Sequence, residues 1–173
     1  MNQTIEKTTL SNLVFNEDYC RKVLPFIKPD YFDIKEEKVV FEEIIKFVDK
    51  YKKIPTKTSL EIEIEHRKDL TEVEHDKVVE LIQSLNPAEV DFDWLVDTTE
   101  KFCKDKAIYN AVVEGISIID GKDKKRSPDA IPSILTDALA VSFDNAVGHD
   151  YFDDSDKRFE FYHKVEELSL IHI

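Results

Sequence analysis

The sequence predicts an all-α fold: a small N-terminal helical globule, a long antiparallel helical hairpin and the start of a linker helix. Three observations carry this reading. Apolar residues recur at helical spacing along most of the chain. Only three glycines and six prolines occur in 173 residues, too few for a fold rich in loops or β-turns. Hydrophobic residues make up 42% and charged residues 35%, the balance of a helical chain with enough apolar material for one domain core.

The elements follow in order. Residues 4–14 read as a first helix with Ile5, Leu10, Leu13 and Val14 apolar. Asn16 is placed to cap a second helix that runs to about Leu24, where Pro25 stands near its end. KPDYFD, residues 28–33, is a turn anchored by Tyr31 and Phe32. An amphipathic helix follows over about 35–51, with Val39, Val40, Ile44, Ile45 and Val48 near one face and Phe41 and Phe47 flanking it. KKIPTKTS is a connector broken at Pro55. LEIEIE at 60–65 alternates like a strand, but its glutamates and its neighbours favour a helix, capped by Thr58 or Ser59. Thr71 with Glu74 fits a capping box that opens a helix to about Leu85, with Val73, Val78, Leu81 and Ile82 inward. NPAE, 86–89, precedes the hairpin.

The hairpin, residues 91–143, organises the rest. In its first arm Leu95, Phe102, Tyr109 and Ile116 recur every seven residues, and Val112 and Ile119 widen that stripe. Gly121 supplies a C′ residue able to take φ > 0. GKDKKR is a basic turn, read as a solvated tip, with an interface or a phosphate contact as the alternatives. Ser127, Pro128 and Asp129 form a helix-start signal. The second arm then carries Ile131, Ile134, Leu135, Ala138 and Leu139 on one face. A hairpin this long buries little alone and must pack on the globule or on another copy. Beyond it, residues 144–167 read as an acidic linker and the start of a linker helix bearing Phe159, Tyr162 and Val165. This divides the chain into a globule at 1–85, a hairpin at 91–143 and a linker at 144–167. LSLIHI, 168–173, resembles a translated library adapter and reads as a non-native tail.

Composition excludes several classes of function. Net charge is −13, so unaided non-specific binding to nucleic acid is disfavoured. Cys20 and Cys103 form no CxxC and suit reduced thiols in a cytosolic protein. The N-terminus lacks the apolar core of a signal peptide, and no apolar run approaches the ~20 residues of a membrane span. His149, Asp150, Asp153 and Asp154 read as capping and solvation, with a metal site as the alternative. His66, His75 and His163 are isolated, and no catalytic residues are assigned.

The order LSNLVFNEDYCRKVLPFIKPDYF, FVDKYKKIPTKTSL, WLVDTTEKF, AIP and ALAVSFDNAVGHDYFDD resembles the N-terminal region of the T-even-type phage replicative DNA helicases, relatives of the DnaB helicases. The resemblance covers roughly residues 7–165. It implies a collar domain that helps six subunits form a ring, binds primase and has a helicase loader as a further partner. It implies a linker helix reaching a neighbouring subunit, and single-stranded DNA passing through the ring in the cytoplasm of an infected bacterium. In the parent enzyme a RecA-like domain uses ATP and Mg²⁺ for 5′→3′ unwinding. Here the only glycines are Gly115, Gly121 and Gly148, so no phosphate loop of the G-x-x-x-x-G-K-[ST] type is present and no cofactor is expected on this chain. The interface residues expected from the stripe and its partners are Leu95, Phe102, Tyr109, Val112, Ile116, Ile119, Ile131, Leu135, Phe159 and Tyr162. A free-standing all-helical interaction adaptor is the alternative reading, and a metal-dependent hydrolase a third.

Overall fold

The computed structural model describes residues 2–143. Among these, every regular element is helical: α1 (Asn2–Phe15), α2 (Glu17–Val23), α3 (Lys35–Tyr51), α4 (Lys57–Glu65), α5 (Glu72–Ser84), α6 (Phe92–Ile119) and α7 (Ile131–Leu139). Short 3-10 turns occupy Leu24–Phe26, Pro29–Tyr31 and Pro128–Ala130. The all-α expectation holds. The expected linker and tail, with His149, Asp150, Asp153, Asp154, Phe159, Tyr162 and His163, lie outside the described residues.

Local chemistry sets the helix starts. Asn16 Oδ1 accepts the Tyr19 N–H at 3.0 Å and opens α2. Thr71 and Glu74 form the expected capping box: Glu74 Oε2 accepts the Thr71 N–H at 2.9 Å, and Thr71 Oγ1 accepts the Glu74 N–H at 3.3 Å. The stretch at 60–65 is helical, but its cap is Thr56, not Thr58 or Ser59. Ser59 is instead the reciprocal partner, its Oγ accepting the Thr56 N–H at 2.8 Å. The alternation there is incidental, since Leu60 and Ile64, four apart, are buried and Ile62 is exposed.

Two further expectations need correction. Val73 is exposed, while Val78, Ile82 and Leu85 point inward. Five residues at about 100° each put Val73 roughly 140° around α5 from Val78, off the buried face. Phe41 does not flank the core but lies fully inside it, its ring 5.0 Å from that of Phe32. α3 ends at Lys52, which takes φ 56° while its N–H donates to Val48 O at 2.8 Å.

One buried cluster joins all seven helices. α3, α4 and α5 pack on one another, and α1 connects α3 to α6. Lys57 Nζ donates to Gln83 O at 2.6 Å and Leu85 O at 2.9 Å, tying the start of α4 to the carbonyl end of α5. Arg67 holds the loop after α4 against α3, with Nη1 at 3.1 Å from Glu42 and 3.0 Å from Glu43. The core runs past residue 85: Leu95, Val96, Phe102 and Cys103 of α6 belong to the same cluster as the preceding helices.

The turn after α6 is a Schellman motif. Gly121, at φ 69°, donates to Ile118 O at 3.1 Å, and Lys122 N donates to Ser117 O at 3.0 Å. The second arm is shorter than the sequence suggests. α7 has nine residues, and a 3-10 turn precedes it. Ser127 does not cap that turn; its hydroxyl donates instead to the Asp129 carboxylate, 3.4 Å away. α7 lies along Ala111, Gly115 and Ile118, the buried face of the far half of α6. The chain then returns to the globule, where Phe143 stacks on Phe26 with centroids 4.5 Å apart.

Candidate interaction surface

α6 positions the surface. Its 28 residues span about 42 Å at 1.5 Å per residue. Its near half is core. Thr99 Oγ1 meets the Tyr19 hydroxyl at 2.6 Å and donates to Leu95 O at 2.8 Å. Farther along, Asn110 Nδ2 donates to Asp30 O at 3.0 Å. Beyond that bond, Ala111, Gly115 and Ile118 are the buried positions, and α7 accompanies them.

The seven-residue stripe is therefore split by its surroundings. Leu95 and Phe102, expected at a partner interface, are only 2% and 6% exposed and form part of this chain's own core. They are corrected on that ground: the globule already covers them. Tyr109, Val112, Ile116 and Ile119 are 45–69% exposed, because α7 occupies a different face. Ile131 and Leu135 of α7 are half-buried. Ile131 faces the Gly115 backbone, where an added Cβ would sit 3.5 Å from its side chain. Leu139, expected on the inward face of α7, is exposed.

Trp94, near the start of α6, is 56% exposed. It lies on the same side of α6 as Val112 and Ile116, since 18 residues make five turns. Together with Ile5 and Thr8 of α1 and Phe102, Lys106 and Tyr109 of α6, it lines a cleft of about 980 Å³. The missed signal was the small-residue pair Ala111 and Gly115. It marks the face a second helix approaches, and so leaves open the face about 110° around the helix that carries Tyr109, Val112, Ile116 and Ile119.

The charges around this surface are largely paired. Lys106 is buried, with Nζ 3.4 Å from Glu6 Oε1 and paired also with Asp33. Burial pulls its pKa down, but the partnership with Asp33 and Glu6 outweighs that and holds the ammonium above its ordinary value. Lys104 lies 2.6 Å from Glu100 and lowers that carboxyl. At the hairpin tip Arg126 pairs with Glu114 and lies 3.6 Å from Asp123, and Lys122 lies 3.3 Å from Asp120.

Nucleophilic chemistry finds little support among the described residues. Burial pushes the thiols of Cys20 and Cys103 up to about 12, so both stay protonated near neutrality. No group of three or more His, Cys, Asp or Glu side chains there is placed to hold a metal ion. No helix there is long and apolar enough to cross a membrane.

Comparison with known proteins agrees with this architecture. The family model of the DnaB-like helicase N-terminal domain matches residues 1–93, which reach the first turn of α6. A DnaB-like replicative helicase of Enterobacteria phage T4 is 36% identical over 161 residues, covering 88% of this chain and 34% of the relative. The chain thus spans about a third of that relative's length. Matched over more than half its length and sharing that identity through the hairpin, the chain belongs to the DnaB-like helicase N-terminal domain family.

Proposed function

We propose that this chain acts as the scaffolding portion of a replicative helicase, assembling copies of itself through the open face of α6. The single observation that carries this reading is the run of Tyr109, Val112, Ile116 and Ile119, apolar and left about half exposed or more by the described residues. Each Val or Ile that becomes fully covered contributes roughly 1.5–3 kcal/mol. A second copy is the favoured occupant because the phage relative is a replicative helicase and the stripe lies within the length the two chains share.

In the whole protein six subunits would form a ring around single-stranded DNA in the cytoplasm of an infected bacterium. ATP and Mg²⁺ would drive 5′→3′ unwinding in a motor domain of the kind the family resemblance implies. The collar would offer a surface to primase and to a helicase loader. The T4 relative's similarity supports this reading.

Sedimentation equilibrium of the chain from low to high micromolar tests it. Self-association is expected for the wild type and loss of it for Ile116→Asp and Val112→Asp, which alter exposed positions and leave the fold intact. A wild type that stays monomeric throughout, or variants that associate equally well, would overturn the proposal.

A further inference from the structure

A charge cluster inside the globule is not needed by the open face of α6. Glu6 of α1 is fully buried, and Glu37 of α3 and Lys106 of α6 are nearly so. Lys106 Nζ lies 3.4 Å from Glu6 Oε1 and pairs with Asp33, whose backbone N–H also points at Glu6 Oε1 from 3.4 Å. The other oxygen of Glu6 and one oxygen of Glu37 are sealed from solvent with no hydrogen-bond partner among the described residues. Lys7 and Glu36 are the remaining charged groups that act on Glu37.

Charge counting makes the problem plain. Of the buried groups, Glu6 and Glu37 bring two negative charges against the single buried ammonium of Lys106, which the exposed Asp33 also engages, while the other cation acting on Glu37, Lys7, is exposed. An unpaired carboxylate oxygen in the interior is costly, and two carboxylates near one another raise that cost. A metal ion is not the remedy here, since these side chains are not placed to share one. A proton supplies both the missing charge and a donor.

We propose that Glu37, buried where α3 packs on α1, takes up a proton in the folded protein near neutral pH, so that the packing of α1 against α3 is sensitive to pH. The carboxyl of Glu37 is pushed up to about 7, by burial first and then by the charges of Glu6 and Asp33. The folded state therefore binds this proton more tightly than the unfolded state, whose ordinary value is 4.5. The stabilising effect of proton uptake is full below about pH 4.5, and it fades as pH rises through about 7. Glu37 lines a separate, smaller cleft with Lys7, Ser11 and Ser84.

Carbon-detected NMR of the glutamate carboxyls in the intact chain is the direct test. The Glu37 carboxyl is expected to titrate near neutrality. Denaturation of wild type and Glu37→Gln across pH 5.5 to 8 is the second measurement. The ratio of their unfolding equilibrium constants should rise roughly tenfold or more over that range. If the Glu37 carboxyl titrates below pH 5, or if the two proteins share one pH profile, the proposal is wrong. The NMR titration needs no variant, so a Glu37→Gln protein that failed to fold would not shield the idea.

Discussion

The hydroxyls of Tyr19 and Thr99, eighty residues apart in the chain, meet at 2.6 Å inside the core. Thr99 donates its one proton to Leu95 O, so Tyr19 is the donor in the pair. Burial holds the Tyr19 phenol up at about 12, and it remains a donor at every physiological pH. This bond pins α2 to the near half of α6. Removing the Tyr19 donor with Tyr19→Phe should cost about 1 kcal/mol. Thr99→Val strips the acceptor and leaves a buried phenol short of a partner, and should cost more, about 1–3 kcal/mol. Chemical denaturation of the two variants checks the order.

Gly115 sits where α7 crosses α6, but space for one methyl exists, since a Cβ would contact Ile131 at 3.5 Å. Gly115→Ala should therefore raise stability by roughly 0.5–1 kcal/mol through helix propensity. Gly115→Leu should push α7 away. Hydrogen exchange at the amides of α7 separates the outcomes: protection is kept in the alanine variant and lost in the leucine one.

Lys52 ends α3 in the left-handed region without being glycine. Lys52→Gly relieves the clash of its Cβ with the backbone and should stabilise the chain by about 1 kcal/mol. A melting temperature unchanged or lowered in this variant would count against strain at this position.

Arg67 is mostly buried and serves Glu42, Glu43 and Asp69 together. Removing it with Arg67→Met leaves Glu43, itself nearly buried, facing the core with only the exposed Lys46 at 2.7 Å as a charged partner. A loss of about 2 kcal/mol is expected, more than an exposed ion pair would give. The comparison variant is Arg21→Met, which breaks the exposed pair with Glu17 at 2.7 Å and should change stability by less than about 1 kcal/mol.

Most of the helix inventory was legible in the residues because its signals are local. The caps at Asn16 and Thr71, the glycine at 121 and the apolar spacing of α3 each act within a few positions of themselves. The Thr56–Ser59 box was missed because serine at N3 can reach back as glutamate does, and the usual pattern names only the longer side chain. The 1–93 match and the T4 relative agree with the family resemblance visible in the sequence.

By itself, then, the sequence determined the helical class, the caps at Asn16 and Thr71, the hairpin and the kinship. Only the tertiary structure decided which part of the seven-residue stripe is free. Leu95 and Phe102 share their spacing with Tyr109 and Ile116, and periodicity cannot tell them apart. What separates them is where the globule stops covering α6 and α7 takes over another face. Burial depends on which segments meet in space, and Glu6, Asp33, Glu37 and Lys106, distant along the chain, became one charge cluster for the same reason.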